Sequence, residues 1–106
     1  MHTMHTPVDT NTIPLAHREP WFAQTLASFG SANLKFRVMR DTTADFHVHP
    51  DGPECFFVLS GTVTIDTEAG PVTLAPGQFF AVPPGLRHRS RVEGEATVLV
   101  FDGLSP

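Results

Sequence analysis

The 106-residue chain contains no tyrosine, one cysteine (Cys55), one tryptophan (Trp21) and one lysine (Lys35). A solitary cysteine excludes an intrachain disulfide, and Cys55 reads as a small buried residue rather than a nucleophile or ligand. No run of about 18 apolar residues occurs, which excludes a helical membrane span. The segment from Met1 to Pro7 lacks the basic start and apolar core of a secretory signal, so a cytoplasmic location is the default expectation. Basic residues are scarce. Seven Lys and Arg stand against eleven Asp and Glu, a net charge of −4, and this argues against a nucleic-acid partner, whose usual footprint is a basic stripe. The 41% hydrophobic content and the length fit one soluble domain with a single core.

What is present is a series of short strand patterns divided by turn residues. Residues 34–40, 45–49, 54–59, 62–67, 72–74, 79–82, 88–92 and 96–101 read as strands. Asp51-Gly52, Ser60-Gly61, Gly70-Pro71, Pro76-Gly77, Pro83-Pro84-Gly85 and Glu93-Gly94 separate them. Many short strands at this spacing indicate a small all-β jelly roll. Upstream, residues 1–18 are expected to form a mobile tail with His2 and His5 solvated, and residues 19–106 the single barrel domain. Pro20 at a first turn, Trp21, Phe22, Thr25, Leu26 and Phe29 on one face and Gly30 as a stop predict a short N-terminal helix packed outside the barrel.

Four residues with metal-ligand chemistry stand out: His47, His49, Glu54 and His88. Two histidines separated by one residue share a strand face, the Asp51-Gly52 turn predicts a hairpin, and Glu54 would open its return strand close to His49. Three imidazoles and one carboxylate suit one divalent transition metal per chain (Fe, Mn, Ni, Zn, Co or Cu) better than calcium or magnesium. Intrinsic affinity does not decide among them. Four protein ligands leave open positions on a five- or six-coordinate metal, and with no cysteine cluster a structural zinc is a poor alternative.

The pattern His47-x-His49-x4-Glu54-x6-Gly61, followed by Gly77-x5-Pro83-x-Gly85-x2-His88, resembles the two signature motifs of the cupin superfamily in its small single-domain microbial form. The stretch Thr62 to Pro76 between them is near the family minimum, and the resemblance covers roughly Asp41 to Val92. Asp41 stands where the first motif usually begins with Gly, and Val92 where the second usually ends with Asn; neither is a ligand position. The resemblance implies a double-stranded β-helix, or conical jelly-roll barrel, with the metal inside. It also implies that Glu54 could act as a catalytic base. Strand alternation puts Phe56 and Val58 on the face of Glu54, lining the pocket, and Cys55, Phe57 and Leu59 on the other. That outer set needs a cover, either the N-terminal helix or a second subunit, and a homodimer is expected.

Two classes of function remain. The first is a metal-dependent small-molecule enzyme of the oxygenase type, with its substrate at the open metal positions. The second is a non-catalytic binding or sensor module; no DNA-binding segment accompanies it. A sugar epimerase or isomerase comes third, because related cupin epimerases use a tyrosine that this chain lacks. A phosphosugar would need cations, for which Lys35, Arg37 and Arg40 are the candidates. Arg87, Arg89 and Arg91 alternate along one strand face and read as a solvated face, a partner for an acidic neighbour or a site for an anionic partner.

Overall fold

The computed structural model describes residues 6–103, so His2 and His5 lie outside the described residues. One helical turn, α1 (Ile13–Ala16), precedes seven strands: β1 (Trp21–Phe29), β2 (Ala32–Thr43), β3 (Glu54–Ser60), β4 (Val63–Thr67), β5 (Gly70–Leu74), β6 (Phe79–Val82) and β7 (His88–Asp102). All pairings are antiparallel. The main path runs β1-β2-β7-β3-β6, while β4 pairs with β5 and with the first part of β7. This is the expected jelly roll.

β7 joins the two halves. Its first residues, His88–Arg91, pair with β4, and residues 95–102 pair with β2, with β3 along the other edge from Thr97 to Phe101. Between them lies a bulge, where Arg40 opposes Glu95 and Thr42 opposes Val92. Bulges let a strand bend from one sheet into another. Asp41 adopts φ 44° and Gly94 φ 74° at this corner, and the Asp41 carboxylate accepts the Gly94 N–H at 2.7 Å. A position that usually carries glycine in the motif thus has a left-handed backbone here, tolerated by a short side chain that bonds locally. Two separate strands expected at 88–92 and 96–101 are therefore one bent strand, because Glu93-Gly94 forms a bulge and not a chain reversal.

Alternation along the strands builds the interior. Met39, Phe56, Val58, Val63, Ile65, Leu74, Val82, Val92, Ala96, Val98 and Val100 form one buried cluster, each large member contributing on the order of 1.5–3 kcal/mol. Gly61 is required where β3 turns into β4: it has φ 73°, and a Cβ there would collide with the Glu95 carbonyl.

The predicted helix over Trp21–Phe29 is a strand. Its residues pair with β2 from Trp21↔Met39 to Phe29↔Ala32. Aromatic and β-branched side chains in this segment suit a sheet, and the edge of β2 offers its backbone a row of hydrogen-bonding partners. The short helix lies earlier, at Ile13–Ala16, within the expected tail. Pro14 is buried there, and its carbonyl accepts from Arg40 Nη2 at 2.9 Å.

Register also fixes the outer face. Cys55 stands opposite Phe101 and Ala81, and Phe57 opposite Leu99 and Phe79. The predicted helix cannot cover this face. The α1 region lies beside its far end, where Pro14 and Leu15 with Leu59 and Thr97 line a cleft of about 230 Å³. Phe79 stays 55% exposed.

Candidate metal centre

Residues 45–49 do not form the predicted strand, and no hairpin joins them to β3. The segment is irregular, held by a single bridge in which the N–H of His47 and of His88 each donate to the other's carbonyl at 2.9 Å. Pro50 and Pro53 lack the donors that a hairpin ladder would need. Gly85 donates its N–H to the His49 carbonyl at 2.9 Å, so the loop of the second motif pins the first. Gly85 has φ 81°, which explains glycine there. His47 and His49 reach one point by being tied to residues some forty positions later, not by strand alternation.

The four predicted ligands do come together. Their ligand atoms all lie within 4.8 Å of one another. Oε1 of Glu54 is 2.7 Å from His88 Nε2, 3.0 Å from His47 Nε2 and 3.4 Å from His49 Nε2. Adjacent ligands on a metal with bonds of ~2.1 Å are ~3 Å apart, so this packing suits a common centre. Glu54 and His88 are buried at its floor, whereas His47 and His49 are more than a third exposed at its rim.

Proton positions follow from the second ring nitrogens. His88 Nδ1 is 2.8 Å from the Leu86 carbonyl and His47 Nδ1 is 3.1 Å from the Asp45 carbonyl. A carbonyl can only accept, so both Nδ1 atoms carry hydrogen, and in a neutral ring Nε2 is left as a lone pair. Those lone pairs face a carboxylate oxygen, which also only accepts. His49 Nε2 is buried without a hydrogen-bond partner. Acceptors crowded on acceptors need a cation between them, either protons or a metal, and the Nδ1 anchors are the arrangement that orients histidine ligands. The donor set therefore fits a divalent transition metal.

Burial alone would raise the Glu54 carboxyl, but where protons rather than a metal lie between it and the rings, hydrogen bonds from His88 and His47 with the charges of Arg37 and His49 outweigh burial and hold it below its ordinary value. Burial and the Glu54 charge push the Cys55 thiol up, consistent with an inert cysteine. Phe56 stands edge-on to His88 with ring centroids 6.3 Å apart, whereas Val58 lies one alternation further along, inside the apolar cluster.

The sequence reading placed Arg37 only among possible phosphate cations and Trp21 on a helix. In the structure Arg37 Nη2 lies 3.6 Å from Glu54 Oε2, and its guanidinium sits 5.1 Å from the Trp21 ring centroid. Its shared parity with Met39 on β2 is the signal that could have placed it inside. Arg89 and Arg91 both donate to Asp66 Oδ2, at 3.0 and 2.9 Å, and Arg87 and Arg89 lie over the Phe46 ring, so the arginine row is a partnered outer face.

Residues 35–103 match the model of the Cupin domain family. The chain belongs to the cupin family. A cupin-2 domain protein of Shewanella frigidimarina superposes with a TM-score of 0.81 at 21% identity, covering 92% of this chain and 94% of that one. TT1209 of Thermus thermophilus does so with a TM-score of 0.80 at 20% identity, covering 94% and 98%. Among sequence relatives, germin-like protein 1 of Brassica napus is 30% identical over 115 residues, covering 98% of this chain and 56% of that protein. The uncharacterized HTH-type transcriptional regulator YobQ of Bacillus subtilis is 36% identical over 64 residues, 59% of this chain and 27% of that protein. The chain thus spans about half the length of its germin-like relatives. Among the described residues, no helix is long and apolar enough to cross a membrane.

Proposed function

We propose that this cupin binds one divalent transition metal through His47, His49, Glu54 and His88 and acts in the cytoplasm as a metal-dependent small-molecule enzyme of the oxygenase type. The observation that carries the metal reading is the convergence of imidazole Nε2 atoms on Glu54 Oε1, with two rings fixed by Nδ1–H donation to carbonyls. A divalent ion there would polarise an oxygen-bearing substrate and, if redox-active, serve oxygen chemistry. The chain's own residues do the rest. Buried Glu54 and His88 form a fixed floor, and partly exposed His47 and His49 leave the approach from the rim. Phe56 shields the inner side from water. Glu54, kept ionised, can accept a proton from a substrate brought beside it.

A second reading is a non-catalytic ligand-binding or sensor module. It is favoured by the match of part of this chain to 27% of a protein described as a transcriptional regulator. A sugar isomerase or epimerase stays the third choice. We also infer a homodimer through the apolar row Phe79, Phe57 and Leu99. Elemental analysis of untagged protein tests the metal. Oxygen uptake by the iron-loaded protein on diketones, catechols, flavonols, thiols and small carboxylates separates enzyme from module: turnover of any supports the enzyme, and tight binding without turnover supports the module.

A further inference from the structure

We propose that Arg37 anchors a carboxylate group of the ligand, so that the site takes a small anionic oxygen chelator held between the metal position and this guanidinium. The metal half of this statement rests on the reading just given.

Arg37 lies on β2 opposite Val98 and Ala23, facing the barrel interior, and only 12% of its side chain is exposed. A guanidinium in such surroundings is costly unless its donors are met. They are not met. Its nearest carboxylate oxygen, Glu54 Oε2, is 3.6 Å from Nη2, beyond hydrogen-bond reach, and its Nε is shielded from solvent with no acceptor. Three other cations of the protein are better served despite being more exposed. Lys35 reaches Asp102 at 2.8 Å, and Arg89 and Arg91 reach Asp66 at 3.0 and 2.9 Å. Arg40, similarly enclosed, bonds Glu95 at 2.7 Å and three backbone carbonyls. Arg37 alone among these is largely enclosed and short of acceptors.

Its position is fixed as well. Trp21 packs on the guanidinium at 5.1 Å and is itself 38% exposed, so Arg37 lies beneath a ring that is open to solvent on its other side. The two oxygens of Glu54 already span the gap, Oε1 toward the imidazoles and Oε2 toward Arg37. A small carboxylate lying beside Glu54 can bridge the same two points. Charge argues the same way. A divalent ion with three neutral imidazoles and one carboxylate keeps one positive charge, and Arg37 adds a second. An anionic chelator neutralises this excess and supplies acceptors to the planar fork, whereas a neutral ligand would leave the buried donor unpaired.

The test is titration of malonate into the zinc-loaded protein, followed by the fluorescence of Trp21, the single tryptophan, and by calorimetry, beside the uncharged analogue malonamide. Wild type should bind malonate with a change in Trp21 emission and bind malonamide at least about ten-fold more weakly. Arg37→Gln should lose roughly 10–100-fold in malonate affinity while still holding one zinc per chain. Arg37→Lys, which keeps the charge without the fork, should fall between; if Arg37→Gln does not fold, this variant carries the comparison. Equal malonate affinity in wild type and variants, equal affinity for malonate and malonamide, or no malonate binding to the zinc-loaded wild type would overturn the proposal. Failure of the wild type to take up zinc would refute the metal reading instead. Malonate is then titrated into metal-free protein, where Arg37-dependent binding supports the anion site and its absence overturns it.

Discussion

Glu54→Gln is the sharpest perturbation available in the metal-free protein. In the absence of metal, protons lie between the rings and the carboxylate, and the change keeps volume and shape but removes the negative charge that holds them and faces Arg37. Breaking a fully buried ionic group by deleting one partner costs about 3–5 kcal/mol. Two of the three imidazoles are more than a third exposed, so solvent screens part of that, and about 2–3 kcal/mol is the expected loss at pH 7. In a domain of this size that is a fall in Tm of roughly 10–20 °C. The pH dependence carries the sign. The folded-state pKa of Glu54 lies below its ordinary 4.5, so its stabilisation is complete above that value and disappears as pH falls through the folded value. The gap between wild type and Glu54→Gln should therefore close in strong acid. Urea denaturation in the presence of chelator, repeated along a pH series, measures it. A gap below about 0.5 kcal/mol at pH 7, or one unchanged well below pH 4.5, would refute the account of Glu54 as the charge that holds the cluster together.

Other outcomes follow from the same geometry. His47→Ala or His49→Ala should each lower metal content sharply while circular dichroism shows an intact barrel; unchanged stoichiometry in both would remove them from the ligand set. Metal occupancy after dialysis should fall in mildly acidic buffer, since protons compete for imidazole nitrogens that titrate near ~6.5 when free; content flat to strongly acidic pH would exclude histidine ligation. Phe57→Asp should convert a wild-type dimer into monomer or insoluble protein in sedimentation at micromolar concentration, and a clean wild-type monomer would refute the homodimer. Asp41→Ala should cost about 1–2 kcal/mol in urea, through left-handed strain and the lost bond to Gly94, with Asp41→Gly costing less; equal losses would show that backbone strain is not involved.

The barrel was legible where side-chain alternation and turn chemistry agree, as in β3, β4 and β6. It was not legible at Trp21–Phe29. Trp21, Phe22, Leu26 and Phe29 satisfy a helical period, and Phe22, Gln24 and Leu26 satisfy a strand period by burial. The deciding term is the open edge of β2, a partner that follows in sequence and cannot be weighed locally. The Glu93-Gly94 corner failed for a related reason. A glycine with positive φ can end a strand or bend it, and the choice depends on whether Asp41 is opposite to receive the Gly94 N–H.

The ligand set shows a different kind of legibility. The residues were right, but the local reason for joining them was not, because His47 and His49 lie on no strand and Glu54 does not face them across a hairpin. What joins them is the reciprocal bridge of His47 with His88 and the tie from Gly85 to His49. Those bonds link the two motifs directly, so the second motif positions the first as well as donating His88. The residues that complete the site, Arg37 with Trp21 above it and the Asp45 and Leu86 carbonyls behind the rings, act through geometry that residue identity does not encode. Backbone carbonyls carry no sequence signature at all. Arg37 does carry one, an arginine at an inward parity between apolar neighbours, and a charge in that place is the kind of local inconsistency that marks a functional position.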